Sequence, residues 1–122
     1  MPRTRVVIFC EDDGSAPFVP WLLRLPALAQ DKVRLRVERL QELGHELRRP
    51  EADYLRDGIY ELRASAGGIH YRVLYFFHER MAVVLTHGIT KERRIPDREI
   101  GLALRRKRQF QADPGKHTLE GF

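Results

Sequence analysis

The stretch "GIYELRASAGGIHYRVLYFF", residues 58–77, decides the fold. Two runs rich in Ile, Tyr, Val, Leu and Phe, at 58–64 and 69–77, flank "SAGG" at 65–68. β-branched and aromatic residues favour a pleated surface, and glycines between two such runs signal a hairpin. A third run, "MAVVLTHGI" at 81–89, follows a turn containing "HER". The expectation is a three-stranded antiparallel meander.

Register follows from the turns. With "SAGG" as the loop, Ala64 faces Ile69, Glu61 lies opposite Arg72 and Arg63 opposite His70. With Glu79 and Arg80 as a two-residue turn, His78 faces Met81 and Arg72 lies opposite His87. Side chains alternate faces along a strand. Glu61, Arg72 and His87 therefore form a row on one face, and Arg63 and His70 form the next row toward the sheet end. The chain leaves that end through "GITKERRIP", residues 88–96, which carries Lys91, Arg93 and Arg94.

Working outward, "RVVIFC" at 5–10 reads as a strand that adds to the meander's edge, with an acidic, Gly-containing turn after it. "APFVPWLL" at 16–23 reads as a short helix ending before Pro26, and Pro26 suits the first turn of a second helix. Val33, Val37, Leu40, Leu43 and Leu47 recur at helical spacing, with Gly44 as a stop or a tolerated break. Pro50 opens a connector. Pro96 starts a last helix, with Asp97 and Glu99 in its first turn and "RRKR" at 105–108 near its end, where they suit the helix dipole. Residues 112–122 read as a loose tail. The predicted class is α+β: an N-terminal strand and helical hairpin packed on the meander, then a C-terminal helix, one domain over residues 1–111.

A chain of 122 residues has room for one domain, and 43% hydrophobic residues build a core. A net charge of +5 suggests a polyanionic partner such as nucleic acid or ribosome. The single cysteine, Cys10, reads as a buried small hydrophobe and fits a reducing cytoplasm. No apolar run approaches the roughly 20 residues of a membrane span, and the N-terminus does not read as a signal peptide.

Bland readings cover many polar and aromatic residues. Glu61–Arg72 is a cross-strand ion pair, and "RRKR" is a solvated helix face. His45, His78 and His117 are surface residues, and Trp21, Phe76 and Phe77 are core. Arg72 stands apart, because "YRVLYFF" surrounds it with apolar neighbours and a buried charge is costly unless paired. A sheet face with several cations holds a phosphodiester and neutralises the charge that develops on it. If that polymer is RNA, its own 2′-hydroxyl is the attacking group. Arginine and lysine then stabilise charge, and a histidine such as His87 moves protons. No metal or cofactor is called for: no clustered His/Asp/Glu set, CxxC pair, P-loop, GxSxG or dinucleotide fingerprint is present.

"LRDGIYELR", "YRVLYFF" and "LTHGITKERRIPDREIGLALRR" together resemble the RelE/ParE superfamily of toxins from bacterial toxin–antitoxin pairs, and within it the HigB-like, phage-derived branch. The resemblance implies a ribosome-dependent endoribonuclease that cuts mRNA, and a cognate antitoxin, usually of helix-turn-helix type. Arg72 matches the family's arginine on the second meander strand, Arg63 the arginine ending GIYELR, and Lys91 with Arg93 or Arg94 the basic cluster after the last strand. Some relatives carry a proton-transferring tyrosine near the terminal helix; here that region reads "RIPDREI", and His87 and Glu99 are the substitutes. The candidate catalytic residues are thus Arg72, His87, Lys91, Arg93 and Glu99. The candidate RNA contacts are Arg63, His70, Lys91, Arg93 and Arg94. Two alternatives stand beside this reading: a ParE-like inhibitor of DNA gyrase, and a non-catalytic nucleic-acid-binding relative.

Overall fold

Val6, Val7, Ile8 and Phe9 are all almost fully buried, so the first strand is covered on both faces. That burial explains its unbroken apolar run, as expected for a parallel strand inside a sheet. A computed structural model describes residues 3–79, 82–90 and 93–121. Among them the strands are β1 (Arg5–Phe9), β2 (Ala52–Arg56), β3 (Ile59–Ala66), β4 (Ile69–His78), β5 (Ala82–Thr90) and β6 (Thr118–Glu120). The helices are α1 (Phe18–Leu23), α2 (Ala27–Leu43) and α3 (Asp97–Ala112).

The six strands form one mixed sheet in the order β2-β3-β4-β5-β1-β6. β1 runs parallel to β5, and the other neighbours are antiparallel. Helices cover both faces. Val6 and Ile8 join the core beneath α1 and α2, with Val33, Val37, Leu40, Leu62, Val73 and Tyr75. Val7 and Phe9 join the core beneath α3, with Ile59, Leu74, Phe76, Ala103 and Phe110. None of the helices described is long and apolar enough to cross a membrane.

The α+β class is as expected, but the sheet has six strands where three or four were foreseen. "ADYLR", expected within the connector, instead pairs with β3 as β2. In the segment 112–122, expected as a loose tail, residues 114–120 are instead built into the fold. Pro114–His117 make a tight turn, and Thr118–Glu120 pair with β1 as β6. The reason is β1's second edge: with β5 on one side only, its other backbone groups need partners. His117, expected at the surface, is buried, stacks on Phe9 at 5.1 Å and donates from Nδ1 to the Cys10 carbonyl at 2.8 Å. "RRKR" is not wholly solvated either, since Arg106 is buried against Phe9 and Glu11. Phe76 is fully buried, whereas Trp21 and Phe77 are only partly buried at the core's edge.

Both expected registers shift. The β3–β4 loop is the pair Gly67-Gly68 alone, both at positive φ, so Ala66 rather than Ala64 faces Ile69. Two consecutive positive φ values are what a tight hairpin turn asks for, and glycine supplies them without steric cost. Arg63 consequently lies opposite Arg72, Glu61 opposite Leu74, and Ser65 opposite His70. A slip of two residues keeps every side chain on its face. In β5 a bulge at Thr86 breaks the ladder between Leu74 and Tyr75. Before it Leu85 faces α2; beyond it Ile89 faces α3. His87 thus shares the α3 face with Arg72 but pairs with Leu74, while Arg72 pairs with Ile89. The expected row of Glu61, Arg72 and His87 is therefore not a row.

Candidate functional site

Arg72 emerges from β4 at the edge of the α3 core, and its side chain is only 12% exposed. A guanidinium there needs acceptors, and two hold it. Nη1 donates to Glu61 Oε1 at 2.6 Å, and Nη2 donates to the Arg93 carbonyl at 2.7 Å. The second bond ties the sheet to the basic turn after β5. Glu61, 3% exposed, uses its other oxygen to accept from Arg63 Nη2 at 3.1 Å. One buried carboxylate thus bridges two arginines that face each other across β3 and β4. Without it these like charges would repel directly across the strands.

These residues line an open groove of about 590 Å³ at the start of α3. Five arginines line it, Arg56, Arg63, Arg72, Arg93 and Arg94, against the two carboxylates of Glu61 and Asp97. Arg56 is held by Asp97 and Asp57. Arg93 and Arg94 are exposed and have no carboxylate partner among the described residues. Fixed arginines therefore form the floor, and exposed ones stand at the rim. A groove of this kind suits an extended polyanion.

The sequence-expected residues divide accordingly. Arg63, Arg72, Arg93 and Arg94 come together. His70 lines an adjoining groove that shares Arg63, Arg72 and Arg93. Lys91 lies outside the described residues. His87 and Glu99 meet each other but are not among the residues lining the groove. His87 is 6% exposed. With the proton on Nε2, the ring donates to Glu99 Oε1 at 3.2 Å and Nδ1 accepts from Thr86 Oγ1 at 2.6 Å. Both ring nitrogens are satisfied in the neutral form. Tyr54 and Arg56 were missed because both sit on β2, which has only five residues and a bulge opposite Ile59. Their signal was the alternation in "ADYLR" just before "GIYELR". Among the described residues no group of three or more His, Cys, Asp or Glu could hold a metal ion.

Burial, and secondarily the Arg106 charge, lowers the His87 pKa from 6.5 to about 4. Below pH 6.5 the unfolded chain takes up a proton that the folded chain refuses until about pH 4. His87 should therefore cost the fold stability progressively as pH falls through that window, in total on the order of 3 kcal/mol. His87→Gln should remove this part of the acid sensitivity. Melting curves between pH 7.5 and 4.5 check it: on acidification the parent should lose more stability than the variant, and equal losses would remove His87 from the acid sensitivity.

Residues 20–108 match the family model described as phage-derived protein, Gp49-like (DUF891). The match covers most of the chain, which belongs to this family. It is a RelE/toxin-like family of phage-derived proteins, and it implies an antitoxin partner. No curated protein matches the chain.

Proposed function

We propose that the protein is the toxin of a type II toxin–antitoxin pair and acts as a metal-independent, ribosome-dependent endoribonuclease on mRNA. The observation that carries this reading is the groove in which Glu61 clamps Arg72 and Arg63 while Arg93 and Arg94, exposed at the rim, have no carboxylate partner among the described residues. A gyrase inhibitor that acts by binding alone has no need of such a convergence.

In this reading an mRNA phosphate seats on the arginine floor. The adjacent 2′-hydroxyl oxygen attacks phosphorus and gives its proton to water in the open groove, and water in turn supplies the proton that the leaving oxygen takes up. The bond to the 5′-oxygen breaks, and that oxygen gains a proton. The products are a 2′,3′-cyclic phosphate and a 5′-hydroxyl end. Arg72 and Arg63 are held before the substrate arrives, so they stabilise the growing negative charge without reorganising. Arg93 and Arg94, with Lys91 before them, contact flanking phosphates, and His70 lies at the adjoining end. The His87–Glu99 pair ties β5 to the first turn of α3, whose Asp97 and Ile100 wall the groove, so its contribution is to the shape of the site. The antitoxin, of helix-turn-helix type, neutralises the positive surface with an acidic segment.

Primer extension on mRNA from expressing cells tests the reading. Discrete cuts with 5′-hydroxyl ends are expected, while intact messages with inhibited gyrase supercoiling would replace the nuclease by a gyrase binder. Charge reversal of Arg93 and Arg94 to Glu should also weaken RNA or ribosome binding and flatten its salt dependence. Each lost phosphate contact lowers the log–log slope by about 0.7 on a single strand. An unchanged slope would make these arginines ordinary solvated residues.

A further inference from the structure

Tyr54 on β2 is a large aromatic residue left 52% exposed. Its ring is held from two directions. The hydroxyl accepts the Gly58 backbone N–H at 3.0 Å. The ring meets Tyr60 edge-on at 5.0 Å, and Tyr60 in turn stacks on buried Tyr75 at 5.3 Å. Such a ring has lost its rotamer freedom before any ligand arrives, so stacking on it carries little further entropy cost.

Its position is the second observation. Tyr54 lines the arginine groove and also a neighbouring groove of about 430 Å³ that holds Arg48, Arg49 and Tyr60. It is the one residue shared between the two. Arg48 and Arg49 are exposed on the far side, and Arg93 and Arg94 on the near side. Tyr54 therefore lies on a path that leads from the arginine floor toward Arg48 and Arg49. Duplexes keep their bases stacked inside, whereas single strands present base faces to aromatic side chains.

We infer that Tyr54 is a base-stacking platform that carries single-stranded RNA out of the arginine groove toward Arg48 and Arg49. The inference rests on the RNA reading above and adds a second segment of the binding path. It assigns a base contact where the arginines offer only phosphate contacts, so it predicts affinity for bases as such, with little sequence preference.

The test uses the full chain and two labelled single-stranded probes with the same 2′-O-methyl backbone, which lacks the attacking hydroxyl. One probe carries bases throughout and the other is abasic at every position. Anisotropy titrations at low salt should show the parent binding the base-bearing probe about tenfold more tightly, the size of one base–aromatic stack. Tyr54→Ala should bring the two probes to within about twofold of each other, with abasic affinity unchanged. Tyr54→Phe should retain most of the difference. A Tyr54→Ala protein that still prefers bases, or that weakens equally on both probes, overturns the inference. So does a parent that binds both probes alike or neither. Cleavage of mRNA on programmed ribosomes is scored separately, so failure of the stacking platform is distinguishable from failure of the nuclease reading.

Discussion

Arg72→Ala is expected to abolish growth arrest and to slow mRNA cleavage by about 100-fold or more, with the fold retained. Arg72 is the most deeply set of the groove's arginines, and both a carboxylate and a backbone carbonyl hold it. Losing one preorganised donor to a developing negative charge costs roughly 10²–10³ in rate. Glu61 keeps Arg63 as a partner in the variant, so the buried carboxylate is not orphaned. Arg72→Lys keeps a charge but cannot reach both acceptors in the planar fork, and should fall between parent and Ala. Single-turnover cleavage on programmed ribosomes, with circular dichroism to verify folding, is the measurement. Parental cleavage by a folded Arg72→Ala protein would remove this residue from the mechanism.

The second large effect is on stability. Glu61→Ala takes away the carboxylate that Arg72 and Arg63 share and leaves two guanidinium groups opposite each other across β3 and β4. Removing one side of a buried ion pair costs about 3–5 kcal/mol. Arg63 is a third exposed, so solvent screens its share and the lower end of that range applies. A domain of this size should lose on the order of 10 °C in melting temperature. Added salt should recover part of the loss, because repulsion between partly exposed charges is screened. Glu61→Gln keeps the volume and an acceptor and should lose less. A melting temperature unchanged in Glu61→Ala would show that the two arginines do not depend on their shared carboxylate.

Both effects depend on a cluster only partly legible in the chain. Arg72 declared itself by its setting: a cation inside "YRVLYFF" is anomalous on local grounds alone. Glu61 was foreseen as its partner, although the pairing that placed it there was two residues out of register. The contact survived because a two-residue slip preserves the face, and a carboxylate and a guanidinium reach diagonally across strands. His87 fared differently. Its side chain does face α3 with Arg72, yet the bulge at Thr86 pairs it with Leu74, and Glu99 holds it away from the groove. A bulge leaves no composition signal when a threonine occupies it.

Tyr54 and Arg56 were hidden for another reason. A short edge strand bounded by bends shows too little alternation to separate it from a connector, and β3 is what makes β2 a strand. The same holds for β6, three residues that become a strand because β1 presents an unpaired edge.

What local physical chemistry wrote into the chain is therefore the class of fold, the three long strands, the helix begun at Pro26, the helix begun at Pro96, and the basic segment after β5. Periodicity and turn chemistry act over a few residues and are readable there. The sheet's full width, the tail's capture, the exact pairing and the membership of the groove belong to contacts between distant segments. Backbone groups left unpaired by one strand recruit another wherever it lies in the chain, and a buried carboxylate recruits the cations that offset its desolvation.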